Sequence, residues 1–171
     1  LKDLEQRHEV ERALAMVAYA DGRISNTALE LWATPQDESA IDQLLSKAGI
    51  KSGMRLVTLC IAGGASKRWW PEKNYLVLGK RLLRSEDCRI VILGGPGEAA
   101  KGERLAQELE QGTVSFAGRM SLRQNYVLLK RSFVCIGNDT GVMHIAAAAG
   151  TALVVISCHP QSGSVTSANA P

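Results

Sequence analysis

Residues 133 to 150 have the sequence Phe133-Val-Cys-Ile-Gly-Asn-Asp-Thr-Gly-Val-Met-His-Ile-Ala-Ala-Ala-Ala-Gly150. The apolar beginning predicts a buried strand, and the alanine-rich end predicts a short helix. Between them Asp139, Thr140 and Gly141 lie where the chain must turn, and Asp and Thr are favoured residues at the N-cap of a helix. Gly150 is placed to end the helix. The stretch therefore predicts a strand–turn–helix unit of an α/β fold.

The turn of this unit is suited to an anion. The first N–H groups of a helix have no partner within the helix, and the helix dipole adds positive potential there. Gly141 lets the backbone come close to a ligand because it has no side chain. His144 follows Thr140 by about one helical turn, so it can face the same pocket. These features predict a phosphate or diphosphate site, although a capped crossover helix with a surface histidine has the same pattern.

The rest of the chain alternates between apolar runs and helical segments. We predict five strands, over residues 56–61, 89–93, 114–117, 133–136 and 152–156. Helices are predicted over 2–20, 35–48, 72–83, 98–111 and 122–130, with a further short strand at 29–32 and a loop after Cys158. Strands of continuous apolar type that alternate with helices predict a Rossmann-like parallel sheet with flanking helices.

Composition excludes several classes of protein. The 20 basic and 17 acidic side chains are interspersed, without the basic stripe of a nucleic-acid binder, so we expect no nucleic-acid partner. No apolar run reaches the ~18 residues that a transmembrane helix needs, and no secretory signal is evident. The four cysteines have no zinc-type spacing, which predicts buried free thiols and a reducing compartment.

Three other blocks place glycine-rich or polar turns after predicted strands. They are Gly63-Gly-Ala-Ser-Lys-Arg-Trp-Trp-Pro71, Ile90-Val-Ile-Leu-Gly-Gly-Pro-Gly-Glu98 and Phe116-Ala-Gly-Arg-Met-Ser-Leu-Arg123. Together with the turn at 138–150, and in the same order, they resemble the heptosyltransferase family (glycosyltransferase family 9). Two departures stand out. The family commonly has His-Pro-Gly-Ala where this chain has Ile61-Ala-Gly-Gly-Ala65, and the doubled tryptophan leaves either Lys67 or Arg68 at the family's basic position.

The resemblance implies a GT-B enzyme, in which two Rossmann-like domains face a cleft and the C-terminal domain binds the donor. On that basis residues 1–50 are expected to be the end of the N-terminal acceptor domain and the interdomain linker. Residues 51–171 are expected to be the nucleotide-sugar donor-binding domain, incomplete at its C-terminus. The chain would then be a fragment of a longer protein.

The resemblance also implies roles for single residues. Thr140, Gly141 and His144 would hold the diphosphate of the donor, while Asp139 would cap and orient the loop or bind a sugar hydroxyl. Lys67 or Arg68 would be catalytic by stabilising the charge on the leaving diphosphate.

Two further residues are open to a structural and a functional interpretation. Glu98 can bind ribose hydroxyls, as acidic residues do in Rossmann sites, or serve as a carboxylate at the start of a helix. Met120 matches a family position that contacts the nucleotide base, but a methionine is also ordinary core packing.

The function implied is transfer of a heptose from ADP-heptose to the lipopolysaccharide inner core. No metal or other cofactor is expected. The acceptor would bind through the missing N-terminal domain, which also supplies the general base, so the chain alone is expected to be inactive. Its place would be the cytoplasm, at most peripheral to the inner membrane. The alternative is a non-catalytic nucleotide-binding module derived from such a transferase.

Overall fold

A computed structural model describes residues 9–61, 69–85 and 87–157. The chain divides into two compact units, Leu1–Glu30 with His159–Pro171, and Leu31–Cys158. In the first unit the described residues form helix α1 (Glu9–Tyr19). This helix ends at the predicted Asp21-Gly22 break, where the Gly22 N–H donates to the Val17 carbonyl at 2.9 Å. The predicted start of this helix and the tail after Cys158 lie outside the described residues.

The second unit is built on one parallel five-stranded sheet. Its strands are β1 (Arg55–Cys60), β2 (Cys88–Leu93), β3 (Thr113–Ser115), β4 (Val134–Asn138) and β5 (Ala152–Ile156), in the order β3-β2-β1-β4-β5. The helices are α2 (Pro35–Lys47), α3 (Glu72–Ser85), α4 (Ala99–Leu109), α5 (Leu122–Lys130) and α6 (Gly141–Ala148), and a 3-10 turn, Pro96–Glu98, precedes α4. The predicted Rossmann-like parallel sheet is therefore confirmed.

Apolar side chains cover both faces of the sheet, because successive residues of a strand point to opposite sides. Along β1, Leu56 and Cys60 belong to a core cluster that includes residues of α2, α5 and α6. Val57 and Leu59 belong to a second cluster that includes Tyr75 of α3 and Leu105 of α4. Strands buried on both faces explain why the sequence showed continuous apolar runs rather than alternation.

The structural division of the chain lies after Glu30, twenty residues before the predicted domain boundary at 50/51. The reason is α2, which buries Ile41 and Leu45 in the core of the sheet unit. Arg131, at the end of α5, fastens the same helix through ion pairs with Glu38 and Asp42. The assignment of residues 1–50 to an acceptor domain and linker stays a prediction.

One predicted element is wrong. Residues 29–32 were expected to form a short strand, but the described chain has no strand there. Trp32 is 75% exposed, so this segment lacks the buried face that normally stabilises a strand. Among the described helices, none is long and apolar enough to cross a membrane.

Candidate functional site

The strand order creates a crevice between β1 and β4. From β1 the chain winds to β2 and β3 on one side, and then crosses to β4 and β5 on the other. Helices that follow β1 and β4 therefore depart in opposite directions, which opens a gap at the carboxyl ends of these two strands. Ligands of open α/β sheets bind at such a switch point. Cys60 ends β1 and Asn138 ends β4, so the turn predicted to bind an anion lies at this crevice.

Thr140 is the N-cap of α6, with extended backbone angles of φ −147° and ψ 168°. Asp139, which was also expected to cap this turn, lies one residue earlier and is not the N-cap. The Thr140 hydroxyl, however, caps no N–H group in the described structure. The Thr140 Oγ1 atom lies instead 3.8 Å from the Cys60 Sγ atom of the neighbouring strand. The Met143 N–H donates to the Thr140 carbonyl at 2.9 Å, so Gly141 and Val142 carry the first N–H groups of α6 that could take a partner other than this hydroxyl.

The described residues leave room for a side chain at Gly141, the first residue of α6. A Cβ atom added at Gly141 would meet no described atom within 4 Å. Asp139 and His144 are exposed on the same turn, and Thr140 is half-buried. Four of the predicted site residues are therefore brought together by one strand end and one helical turn. The N–H groups, the hydroxyl and the imidazole can all donate to an anion there.

The far end of α6 is fixed by the predicted Gly150. This residue has φ +72°, and its N–H donates to the Ala147 carbonyl at 3.0 Å. The N–H of Thr151 donates to the Ala146 carbonyl, also at 3.0 Å. These two bonds form a Schellman motif, which requires the left-handed backbone that glycine adopts without strain.

Glu98 lies at the carboxyl end of β2, in the turn that opens α4. Its Oε2 atom accepts a hydrogen bond from the Gly95 N–H at 2.8 Å. The structural role at a helix start is therefore present, and the predicted contact with ribose stays a prediction. Met120 is half-buried and packs against the core cluster of α2, α5 and α6, which agrees with ordinary packing, while its predicted contact with a base stays a prediction.

Lys67 and Arg68 lie outside the described residues, as do the other residues of the 62–68 segment. The chain is described again from Trp69, whose ring lies 5.0 Å from the Nζ atom of Lys101. The backbone N–H of Trp70 donates to the Oδ1 atom of Asn138 at 3.0 Å. Asn138 was missed by the sequence analysis, although a polar residue at the end of an apolar strand was a signal for it.

Cys60, Cys88 and Cys135 are buried and in no disulfide, as predicted, and Cys158 lies outside the described residues. Burial, and secondarily the neighbouring Cys60, raises the pKa of the Cys135 thiol well above its ordinary range. This thiol is therefore protonated at neutral pH and unsuited to act as a nucleophile. The described residues also contain no group of three His, Cys, Asp or Glu side chains arranged for a metal ion.

A cavity of about 730 Å³ lies at the opposite end of the strands, near Leu56, the second residue of β1, and Arg131, which follows α5. None of the predicted site residues lines it. Its one arginine already holds two carboxylates of α2. The chemistry of the chain therefore points to the crevice between β1 and β4 rather than to this cavity.

Comparison with known proteins agrees with the fold. The chain is 29% identical over 159 residues to lipopolysaccharide heptosyltransferase 2 of Escherichia coli K12, covering 86% of this chain and 44% of that protein. It is 29% identical over 133 residues to the Salmonella typhimurium LT2 protein of the same name, covering 74% and 38%. The chain thus spans less than half the length of these curated relatives.

Solved structures show the same architecture. A glycosyltransferase family 9 protein from Veillonella parvula superimposes with a TM-score of 0.81 at 18% identity, over 89% of this chain and 44% of that one. The E. coli heptosyltransferase WaaC with ADP-2-deoxy-2-fluoro heptose superimposes with a TM-score of 0.61 at 25% identity, over 88% and 45%. The profile of glycosyltransferase family 9 (heptosyltransferase) matches residues 1–158. This chain belongs to glycosyltransferase family 9.

Proposed function

We propose that this chain is the donor-binding part of a glycosyltransferase that takes a sugar from a nucleotide diphosphate, with ADP-heptose as the donor. The observation that carries the proposal is the start of α6. Its N-cap hydroxyl makes no capping bond in the described structure, and no described residue fills the space beside Gly141. A helix N-terminus that opens on a switch point is suited to a diphosphate, and this chain belongs to a family of heptosyltransferases.

In this proposal each group of the α6 turn makes a different contact with the donor. Backbone N–H groups and the Thr140 hydroxyl donate to the diphosphate oxygens, and His144 donates or adds positive charge. Asp139, itself an anion, orients the turn or binds a sugar hydroxyl. Lys67 or Arg68 stabilises the charge that builds on the diphosphate as the bond to the sugar breaks.

The choice of an adenine nucleotide rests on the relatives. Solved structures of WaaC contain ADP and ADP-2-deoxy-2-fluoro heptose, and the curated relatives are named for lipopolysaccharide. We therefore propose the lipopolysaccharide inner core as the acceptor of the whole enzyme, acting in the cytoplasm and at most peripherally at the inner membrane. The general base would come from an acceptor domain outside this chain.

Calorimetric titration of the chain with ADP, UDP and GDP tests the proposal. We expect selective ADP binding, weakened roughly tenfold in Thr140→Val and in His144→Ala alike, since each variant loses one donor to an ionised diphosphate and such a hydrogen bond contributes about 1.5 kcal/mol. Thr113→Val is the matched control, because the buried Thr113 hydroxyl has no hydrogen-bond partner in the described structure. It should leave ADP affinity unchanged. Absence of binding by all three nucleotides would contradict the proposal.

Two further experiments test the need for a metal and separate the enzyme from the alternative function. Repeating the ADP titration in EDTA tests the prediction that donor binding needs no metal, and loss of binding there would refute it. The alternative function, a nucleotide-binding module without catalysis, predicts the same ADP titration. The two hypotheses separate when the chain is joined to an acceptor domain with a suitable base, because only the enzyme then transfers sugar.

A further inference from the structure

Asn138 joins two segments of the chain that lie far apart in sequence. It is the last residue of β4 and only 3% exposed. Its Oδ1 atom accepts the Trp70 N–H at 3.0 Å across a sequence separation of 68 residues. Asparagine at the end of a strand often bonds to the backbone of its own turn. The bond to Trp70 is different in kind, because it connects the end of β4 to the segment that leads into α3.

The segment that leads from Trp70 into α3 also contacts β1. The indole of Trp70 meets the ring of Tyr75 edge-on, with centroids 4.8 Å apart and planes at 82°. The buried Tyr75 hydroxyl donates to the Cys60 carbonyl at 2.9 Å. Through these contacts the start of α3 is held to the last residue of β1, and through Asn138 to the last residue of β4. Those two strand ends flank the crevice.

The turn that starts α6 follows Asn138 directly. Two residues later the Thr140 hydroxyl contacts the Cys60 sulfur. Gly137, one residue earlier, lies so close to β1 that an added Cβ would be 2.5 Å from the Cys60 carbonyl oxygen. The chain thus contacts β1 on both sides of Asn138, through the Gly137 backbone on one side and the Thr140 side chain on the other. Asn138 also lies only two residues before Thr140, the N-cap of α6, so a shift of Asn138 would displace the start of this helix.

We propose that Asn138 is a positioning residue of the nucleotide site, which through its bond to Trp70 holds the start of α6 in register with the ends of β1 and α3. This inference rests on the proposed function, because it concerns the same crevice. Asn138 would act on the ligand through the α6 turn, where a diphosphate would lie, and not through the nucleoside. Removing the Asn138 side chain should then weaken the binding of a ligand more when that ligand carries more phosphates.

Asn138→Ala and Asn138→Asp separate this role from a general effect on folding. Aspartate keeps an acceptor for the Trp70 N–H, whereas alanine removes it. We expect hydrogen exchange at the Trp70 amide, followed by NMR, to accelerate in Asn138→Ala and to stay near the wild-type rate in Asn138→Asp. Calorimetry should show ADP affinity of Asn138→Ala reduced about fivefold, the equivalent of one hydrogen bond, with adenosine affinity nearly unchanged.

Tyr75→Phe is the matched control variant, since it keeps the ring against Trp70 and loses the hydroxyl that bonds to Cys60. Its Trp70 amide should remain protected. Unchanged Trp70 exchange in Asn138→Ala would overturn the inference, as would equal losses of ADP and adenosine affinity. If the wild-type chain binds ADP and Asn138→Ala binds it equally well, only the role of Asn138 fails. If the wild type binds no nucleotide, the proposed function fails and this inference fails with it.

Discussion

At the scale of single residues, the crevice depends on how closely β1 and β4 approach each other. Gly137 pairs with Cys60 in the register of these strands, and a Cβ at this glycine would lie 2.5 Å from the Cys60 carbonyl oxygen and 2.7 Å from its Cβ. The contact involves backbone, which cannot rotate away as a flexible side chain can. Glycine is therefore required here by space, in a strand where any residue could adopt the backbone angles.

Gly137→Ala should lower the free energy of unfolding by about 2 to 3 kcal/mol, the usual cost of overpacking a dense core. Denaturant unfolding followed by circular dichroism measures the change. Gly97→Ala is the matched control, because an added Cβ there would meet no described atom within 4 Å, and it should be neutral or slightly stabilising. A Gly137→Ala variant as stable as the wild type would show that β1 and β4 can separate without cost.

At the scale of secondary-structure elements, α2 begins with a capping box. The Thr34 N–H donates to the Asp37 carboxylate at 2.9 Å, and the Asp37 N–H donates to the Thr34 hydroxyl at 3.3 Å. The backbone bond from Thr34, followed by the bond from its hydroxyl, lowers the pKa of Asp37 from its usual 3.8. Because these bonds favour the ionised carboxylate in the folded state, folding is favoured wherever that carboxylate is charged.

Asp37→Asn tests this cap through pH. A carboxyl group whose pKa is lowered by folding stabilises the protein above its unfolded value of 3.8, and that contribution is lost as the pH falls through the folded value. The stability advantage of wild type over Asp37→Asn should therefore be largest near neutral pH and shrink below about pH 4. Urea unfolding of both proteins at neutral and acid pH measures it. An advantage that is constant with pH would contradict the role of the charge.

The elements also show how far sequence reasoning reaches. The strands at Arg55–Cys60 and Cys88–Leu93 and the helix at Leu122–Lys130 were predictable because each has a continuous apolar run or a helical period. The α6 turn was predictable because its cap and glycines are local. The packing of α2 on the sheet and the bond from Trp70 to Asn138 were not, since both join residues distant in sequence. The strand predicted at 29–32 is wrong, because an apolar run forms a strand only when another strand pairs with it, and none does so in the described structure.

At the scale of the whole molecule, the chain covers less than half of the family members it matches. The described sheet unit holds the crevice, and we propose that the acceptor site and its general base lie outside this chain. We therefore expect the isolated chain to bind donor without turnover. Incubation with ADP-heptose and an inner-core acceptor should give no glycosylated product by mass spectrometry, although ADP should raise the thermal unfolding midpoint. Measurable transfer by the chain alone would refute the expectation.

The strand order has a consequence for biosynthesis. β1 is made first and lies in the middle of the sheet, with β2 on one side and β4 on the other. One wall of the crevice can form soon after β2 leaves the ribosome, but the other must wait until the polypeptide has been extended through β4 and α6. Pairings between distant segments also form slowly. Under the proposed function, nucleotide binding would thus begin only after α6 has been made, and products terminated before α6 would not bind the donor.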